Sequence, residues 1–202
     1  MSTLMMKLGP GLIGGGMKRF MDRKVSAGFL GMTMRMRLRD ICRIQAETLI
    51  PKLRDSPGKN LCFINIAGGS ANDSINTLVL IQAEETALLK NRKIEINVLD
   101  WDTFGPNFAD RCIRSLQNPG GRFHGLDVSF RYIQYEWKDT SKLTDLLLER
   151  KDWIQVCESE GGLFEYGTDE EIINNLKCLF NDTSDDVIIA GDVVLGMEKV
   201  SP

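Results

Sequence analysis

Carboxylates recur in this chain where apolar runs stop. Asp73 lies a short turn beyond the run Leu61–Ala67, and Asp100 and Asp102 flank Trp101 after Lys93–Leu99. Glu136 and Asp139 follow the stretch Val128–Tyr135, and Glu158 and Glu160 follow Trp153–Cys157. Acids at the ends of strands accept hydrogen bonds from sugar hydroxyls and attract cations, and they repel phosphate. At ~4 Å and an effective dielectric of ~20, two like charges repel by about 4 kcal/mol. The pattern therefore argues against ligands with several phosphates, such as ATP or a nicotinamide dinucleotide. His124 is the single histidine, which rules out chemistry needing two and counts against a Ser-His-Asp hydrolase. Cys42, Cys62, Cys112, Cys157 and Cys178 form an odd set with no CxxC pair, so neither a disulfide framework nor a zinc site follows. Cys62 and Cys157 fall in core strands, where a buried reduced thiol is expected.

The element that must position these acids is LCFINIAGGSANDSINTL, residues 61–78. An apolar run ends at Gly68-Gly69, a polar turn follows, and Asp73-Ser74 opens a helical pattern with Asp73 as the expected cap. Strand, glycine turn and helix in that order form the first unit of an open nucleotide-binding sheet. Glycine lets the backbone approach a ligand closely, and the first-turn N–H groups of the helix point into the same space. The third glycine of the GxGxxG fingerprint is absent.

Further strands are predicted at about Lys93–Leu99, Val128–Tyr135, Trp153–Cys157 and Asp186–Ala190, with the first at Asn60–Ala67. Helices are predicted at about Thr33–Leu53, Ser74–Lys90, Pro106–Gln117, Ser141–Arg150 and Thr168–Phe180. Met34, Met36 and Leu38 alternate with Arg35, Arg37 and Arg39, a strand-like pattern inside the first of these helices. Thr168 with Glu171 three residues on reads as a capping box. The fold class is α/β: an open, doubly wound, mostly parallel Rossmann-like sheet of about five strands.

Residues 1–32 read as a basic arm rich in Met and Gly, and residues 33–202 as the α/β domain. Residues 1–60 hold 12 Lys/Arg against 4 Asp/Glu, a net charge of +8; residues 61–202 hold 13 against 24, a net of −11. Eight of the nine methionines lie within residues 1–36. The arm is expected to fold back on the acidic domain and cover the ligand site; contact with nucleic acid or anionic lipid is the other reading. No apolar run approaches the ~18 residues of a membrane span, and residues 1–16 lack a secretory core, so a cytoplasmic protein is expected.

A cationic cofactor without phosphate fits an acidic mouth. S-adenosylmethionine carries a sulfonium, an ammonium and a ribose, and a carboxylate closing the second strand accepts both ribose hydroxyls, at about 1.5–3 kcal/mol each. Asp100 is the first choice for that role and Asp102 the second, with helix capping as the alternative for either. Trp137 is a candidate wall for the adenine, with a large half-buried core aromatic as the alternative reading; Trp101 is a further candidate cofactor contact.

The sequence resembles class I S-adenosylmethionine-dependent methyltransferases over about residues 35–195. INIAGGSANDSIN is similar to the first cofactor motif of that family, with Asn65, Ala67, Gly69 and Ala71 where an acid and three glycines are usual. Three of the four positions depart from that pattern. SEGGLFEYGTDEEIINNL resembles the segment after the fourth strand in a bacterial subset. The cofactor contacts expected from the strand ends and this motif together are Asn65, Ala67, Gly68, Gly69, Asp73, Asp100, Trp101 and Trp137. The resemblance implies that Ser159 and Glu160 face the methionine moiety or the substrate. Asp100 lies 31 residues beyond Gly69, where ~20 is usual for such sheets. Only 12 residues follow Ala190, so the C-terminal strand pair of the family is expected to be missing.

The function expected is methyl transfer to a small-molecule acceptor, not to nucleic acid. Its catalytic residue is unknown, no metal is required, and Glu158 or Glu160 is a candidate base beside the plainer reading of a solvated loop acid. The alternatives are a non-catalytic or truncated cofactor-binding fragment and a Rossmann oxidoreductase binding a nucleotide or sugar nucleotide.

Overall fold

The computed structural model describes residues 9–11, 20–184 and 187–192. Two N-terminal helices, α1 (Phe20–Ala27) and α2 (Phe29–Asp55), precede β1 (Leu61–Ile66). Then come α3 (Asn72–Glu85), β2 (Lys93–Asp100), α4 (Phe104–Gln117), β3 (Asp127–Gln134), α5 (Ser141–Glu149), β4 (Ile154–Ser159), α6 (Leu163–Tyr166), α7 (Asp169–Asp182) and β5 (Ile188–Gly191). The five strands are all parallel, in the order β3-β2-β1-β4-β5. The order reverses between β1 and β4, which is the switch point where such sheets bind ligands.

Side chains alternate across β1, so its two faces build two cores. Leu61 and Phe63 pack with Leu49 and Leu53 of α2, Leu78 of α3 and Ile113 of α4. Cys62, Ile64 and Ile66 pack on the other face with Leu146 and Leu147 of α5 and Leu179 of α7. β1 and β4 are buried on both faces, and β1 reads as a nearly continuous apolar run broken only by Asn65. All five cysteines are free. Burial pushes the thiols of Cys42, Cys62 and Cys157 far up and that of Cys178 up to about 11, so they remain protonated.

Several boundaries differ from the sequence expectation. The Met/Arg alternation near Met34 is helical, because α2 starts at Phe29 and uses Arg35 and Arg37 for separate contacts described below. The helix expected to reach Lys90 ends at Glu85 and passes into one tight turn, Thr86–Leu89. β4 runs two residues past Cys157, and a short helix, α6, follows it. The expected start of the last strand at Asp186, most of the arm and everything beyond Asp192 lie outside the described residues.

The capping box at α7 is present. The Glu171 backbone N–H donates to Thr168 Oγ1 at 3.3 Å, and the Thr168 N–H donates to Glu171 Oε2 at 2.8 Å. Thr168→Ala removes one reciprocal bond and should cost about 1 kcal/mol, read as a lower urea midpoint with unchanged m-value; Thr168→Ser should keep most of it.

Candidate functional site at the carboxyl ends of the strands

The chain leaves β1 through a loop in which Ala67, Gly69 and Ala71 all have positive φ, at 57°, 50° and 47°. An L-residue there costs roughly 1–2 kcal/mol, so two alanines hold a backbone that suits glycine. Packing fixes it: Ala71 is buried, and its N–H donates to the Gly68 carbonyl at 2.9 Å. A Cβ at Gly105, in the first turn of α4, would stand 2.6 Å from the Gly69 carbonyl carbon, so α4 abuts this loop backbone to backbone.

Asp100 closes β2 beside the loop. Its Oδ2 accepts from the Gly69 N–H at 3.0 Å and its Oδ1 from the Asp102 N–H at 3.2 Å. A carboxylate offers about four acceptor positions, so about two remain for a ligand. Asp102 Oδ1 accepts from the Phe104 N–H at 2.7 Å, which assigns Asp102 to the turn that starts α4.

A cleft of about 270 Å³ opens here, lined by Ala67, Asp100, Trp101, Tyr135, Glu136, Trp137, Lys138 and Glu171. That volume is near the lower end of small-molecule sites. Ala67, the adjacent pair Asp100 and Trp101, and Trp137, from three separate stretches of sequence, thus share one wall system, with Gly68 and Gly69 in the adjoining loop. A polar hollow of about 300 Å³ lies alongside, sharing Tyr135 and Glu136 and adding Gln134, Asp139 and Lys142. The outer wall is held by Asn175 of α7. Its Oδ1 accepts from the Tyr135 hydroxyl at 2.6 Å, and its Nδ2 donates to the carbonyls of Trp137 and Glu171, both at 2.9 Å. Burial raises the Tyr135 hydroxyl, so it stays a donor.

Other expected site residues lie beneath or beside the cleft. Asn65 is buried, and its Nδ2 donates to Ser74 Oγ at 2.9 Å. Asp73 is not the cap of α3. The capping position is Ala71, in a left-handed conformation, and Asp73 is buried with its Oδ1 accepting from the Ser74 N–H at 3.1 Å. Ser159 is buried, and its Oγ accepts from the Leu163 N–H at 3.0 Å, which anchors α6. Glu160 meets Arg37 of α2 at 3.4 Å, and the same guanidinium reaches Asp192 at 2.6 Å and Glu165 at 3.7 Å.

Glu158 is not a solvated loop acid. It sits in β4 at 2 % exposure, and its two oxygens accept from Ser74 Oγ and Gln45 Nε2. Gln45 Oε1 in turn accepts from Thr77 Oγ1 at 2.7 Å. Burial, then the neighbouring Asp73 carboxylate, drive the Glu158 carboxyl well above the usual carboxylate range, with a smaller push from Glu160 and opposing hydrogen bonds from Ser74 and Gln45. Both oxygens are engaged under the sheet's edge, so this group does not face a substrate.

Sequence reasoning missed Lys138 and Glu171 as cleft residues and Arg37, Gln45 and Ser74 as partners of the acids. Lys138 was within reach, being adjacent to Trp137. The rest depend on helix packing that no local pattern encodes. Among the described residues no cluster of His, Cys, Asp and Glu suits a metal ion. A scan against protein-family models and a search of curated proteins each return no match.

A carboxyl raised in the folded state stabilises the fold below its unfolded value, and that contribution is lost as pH rises towards the folded value. Glu158 should therefore make the protein less stable on going from pH 5 to pH 8. The slope is about 1.4 kcal/mol per pH unit while the group is ionised only when unfolded. Glu158→Gln should flatten that slope, leaving a variant that gains on wild type as pH rises. Urea midpoints at the two pH values read the difference.

Proposed function

We propose that this chain binds S-adenosylmethionine in the Trp101–Trp137 cleft and transfers its methyl group to a small-molecule acceptor. The observation that carries the reading is Asp100: a carboxylate at the end of β2, fixed by the Gly69 N–H, in the wall of a cleft that also holds two indoles. Its spare acceptor positions suit the two ribose hydroxyls, and the indoles suit the adenine. The left-handed run at Ala67, Gly69 and Ala71 supports the resemblance, since those are the positions where the family usually has glycine. Buried Asp73 under the first turn of α3 works against a phosphate there, as does the absence of a third glycine.

In methyl transfer the acceptor's lone pair attacks the methyl carbon while the sulfonium leaves as a thioether. The reaction needs no obligatory protein acid, and positioning alone contributes ~7–11 kcal/mol. The chain's part is then to hold ribose and adenine rigidly and keep the mouth negative towards the cation. Of the two acids weighed as a base, Glu158 is enclosed, and Glu160 is engaged with Arg37.

Titration calorimetry should show S-adenosylmethionine or its demethylated product binding with a Kd between micromolar and sub-millimolar, and no signal with NAD. Asp100→Asn keeps the shape but exchanges two charge-assisted bonds for neutral ones. The expected loss is about 2 kcal/mol, roughly thirtyfold in Kd. Asp102→Ala, which touches only the α4 turn, should cost under ~1 kcal/mol. NAD binding without an adenosylmethionine signal would overturn the proposal in favour of an oxidoreductase. Binding of neither would favour a non-catalytic fragment.

A further inference from the structure

α2 is a long post whose lower end is buried and whose upper end is not. Leu49 and Leu53 lie in the core, and the Leu53 carbonyl accepts from Arg92 Nη2 near the start of the strands. Gln45 is level with Glu158, and Arg37, eight residues earlier, meets the acids beyond β4 and β5. At 1.5 Å per residue that is about 12 Å of rise, and Phe29 stands about 12 Å farther out. α1 is folded against this outer end. Gly31 allows the contact, since a Cβ there would lie 2.7 Å from the Ser26 carbonyl oxygen, and Arg35 Nη1 donates to that same carbonyl at 2.8 Å. The elbow is thus a built corner, and no residue of it lines the described cleft.

Its outer surface is apolar. Phe29 is 78 % exposed, Met21 61 % and Leu30 59 %, and Val25, Met32 and Met36 are exposed as well. Phe29, Met32 and Met36 share one face of α2, and Met21 and Val25 share one face of α1. Around them basic side chains predominate, with Asp22 in α1 and Asp40 in α2 as the acids. Residues 23–39 hold five basic side chains and no acid, and residues 1–39 hold eight against Asp22 alone. Arg35 and Arg37 are turned to contacts within the chain, Arg39 is exposed but paired with Asp40 at 2.8 Å, and Arg23 and Lys24 are exposed.

An apolar corner flanked by the exposed cations Arg23 and Lys24 discriminates among occupants. A second copy would set two such basic segments against each other. Nucleic acid would satisfy the cations and leave Phe29 and Leu30 in water. An anionic bilayer satisfies both, because apolar side chains enter the headgroup boundary while Lys and Arg meet lipid phosphates. No described helix is long and apolar enough to cross a membrane, so the mode is surface docking. We propose that the α1–α2 elbow docks this protein on anionic lipid bilayers, with Phe29 and Leu30 inserted. The inference is independent of the methyl-transfer reading.

The test is co-sedimentation of the full chain with unilamellar vesicles of phosphatidylcholine alone or mixed equally with phosphatidylglycerol. Binding should be confined largely to the mixed vesicles and should weaken as salt is raised. Phe29→Ser with Leu30→Ser should lower the partition coefficient about tenfold or more. Arg23→Gln with Lys24→Gln should lower it less. In a separate Phe29→Trp variant, that variant's emission should shift to the blue on the mixed vesicles only. Thermal melts should match wild type, since all four positions are exposed. The proposal is overturned by failure to pellet with the mixed vesicles or by pelleting indifferent to the Phe29/Leu30 change. It is also overturned by loss of a dimer, or of salt-sensitive RNA binding, in that same variant without lipid binding by the wild type.

Discussion

A carboxyl group buried at the centre of the molecule dictates what three other elements must supply. Removing the Glu158 side chain from water costs several kcal/mol unless its oxygens are hydrogen-bonded or it stays protonated. β4 carries the acid, α3 supplies Ser74, α2 supplies Gln45, and β1 supplies Asn65 to orient Ser74. These contacts lie directly under the carboxyl edge of the sheet, between β1 and β4. A helix that precedes the first strand is therefore part of the sheet's packing. Its upper end inherits a fixed direction from a contact made at its middle.

The same region sets the loop above it. Asn65 precedes the left-handed run and Ser74 follows it, and their mutual bond closes the base of that loop. Asp100 closes its side by accepting from Gly69, and α4 closes it from beyond. Every wall of the turn is thus backbone or a short polar side chain. Asp100 is thus a carboxylate whose position is fixed by the loop and which also lines the cleft. Two other carboxylates near the edge are drawn into contacts of their own, Glu160 with Arg37 and Asp102 with the α4 turn.

The sequence made the sheet legible because β1 is a nearly continuous apolar run, because β2 and β4 set apolar residues between clear turn signals, and because Thr168 and Glu171 declare the start of α7 locally. It also made Asp100, Trp101 and Trp137 legible, since strand ends in parallel sheets converge on one edge. Glu158 was misread for a physical reason: its partners lie 84 and 113 residues away, and no window around Cys157 contains them. The polar residue after an apolar run looks like a loop until those partners are present. Asp73 failed in the same way, because a cap and a buried first-turn acid share one sequence pattern. The upper half of α2 was ambiguous because alternating Met and Arg satisfy a strand period as well as a helix whose outer face is apolar.

The two sides of the cleft differ in stiffness. On one side Gly105 lies against the main chain of Gly69, so neither can yield without moving α4 and β1 together. On the other, the Trp137 main-chain carbonyl accepts a single bond from the Asn175 amide, which a small rotation of that side chain can stretch. A molecule entering this space works against a fixed jaw and a compliant one. Shape selection then belongs to the glycine side, while the indole side adapts, and differences in fit between ligands should register as displacements of the β3–α5 connection.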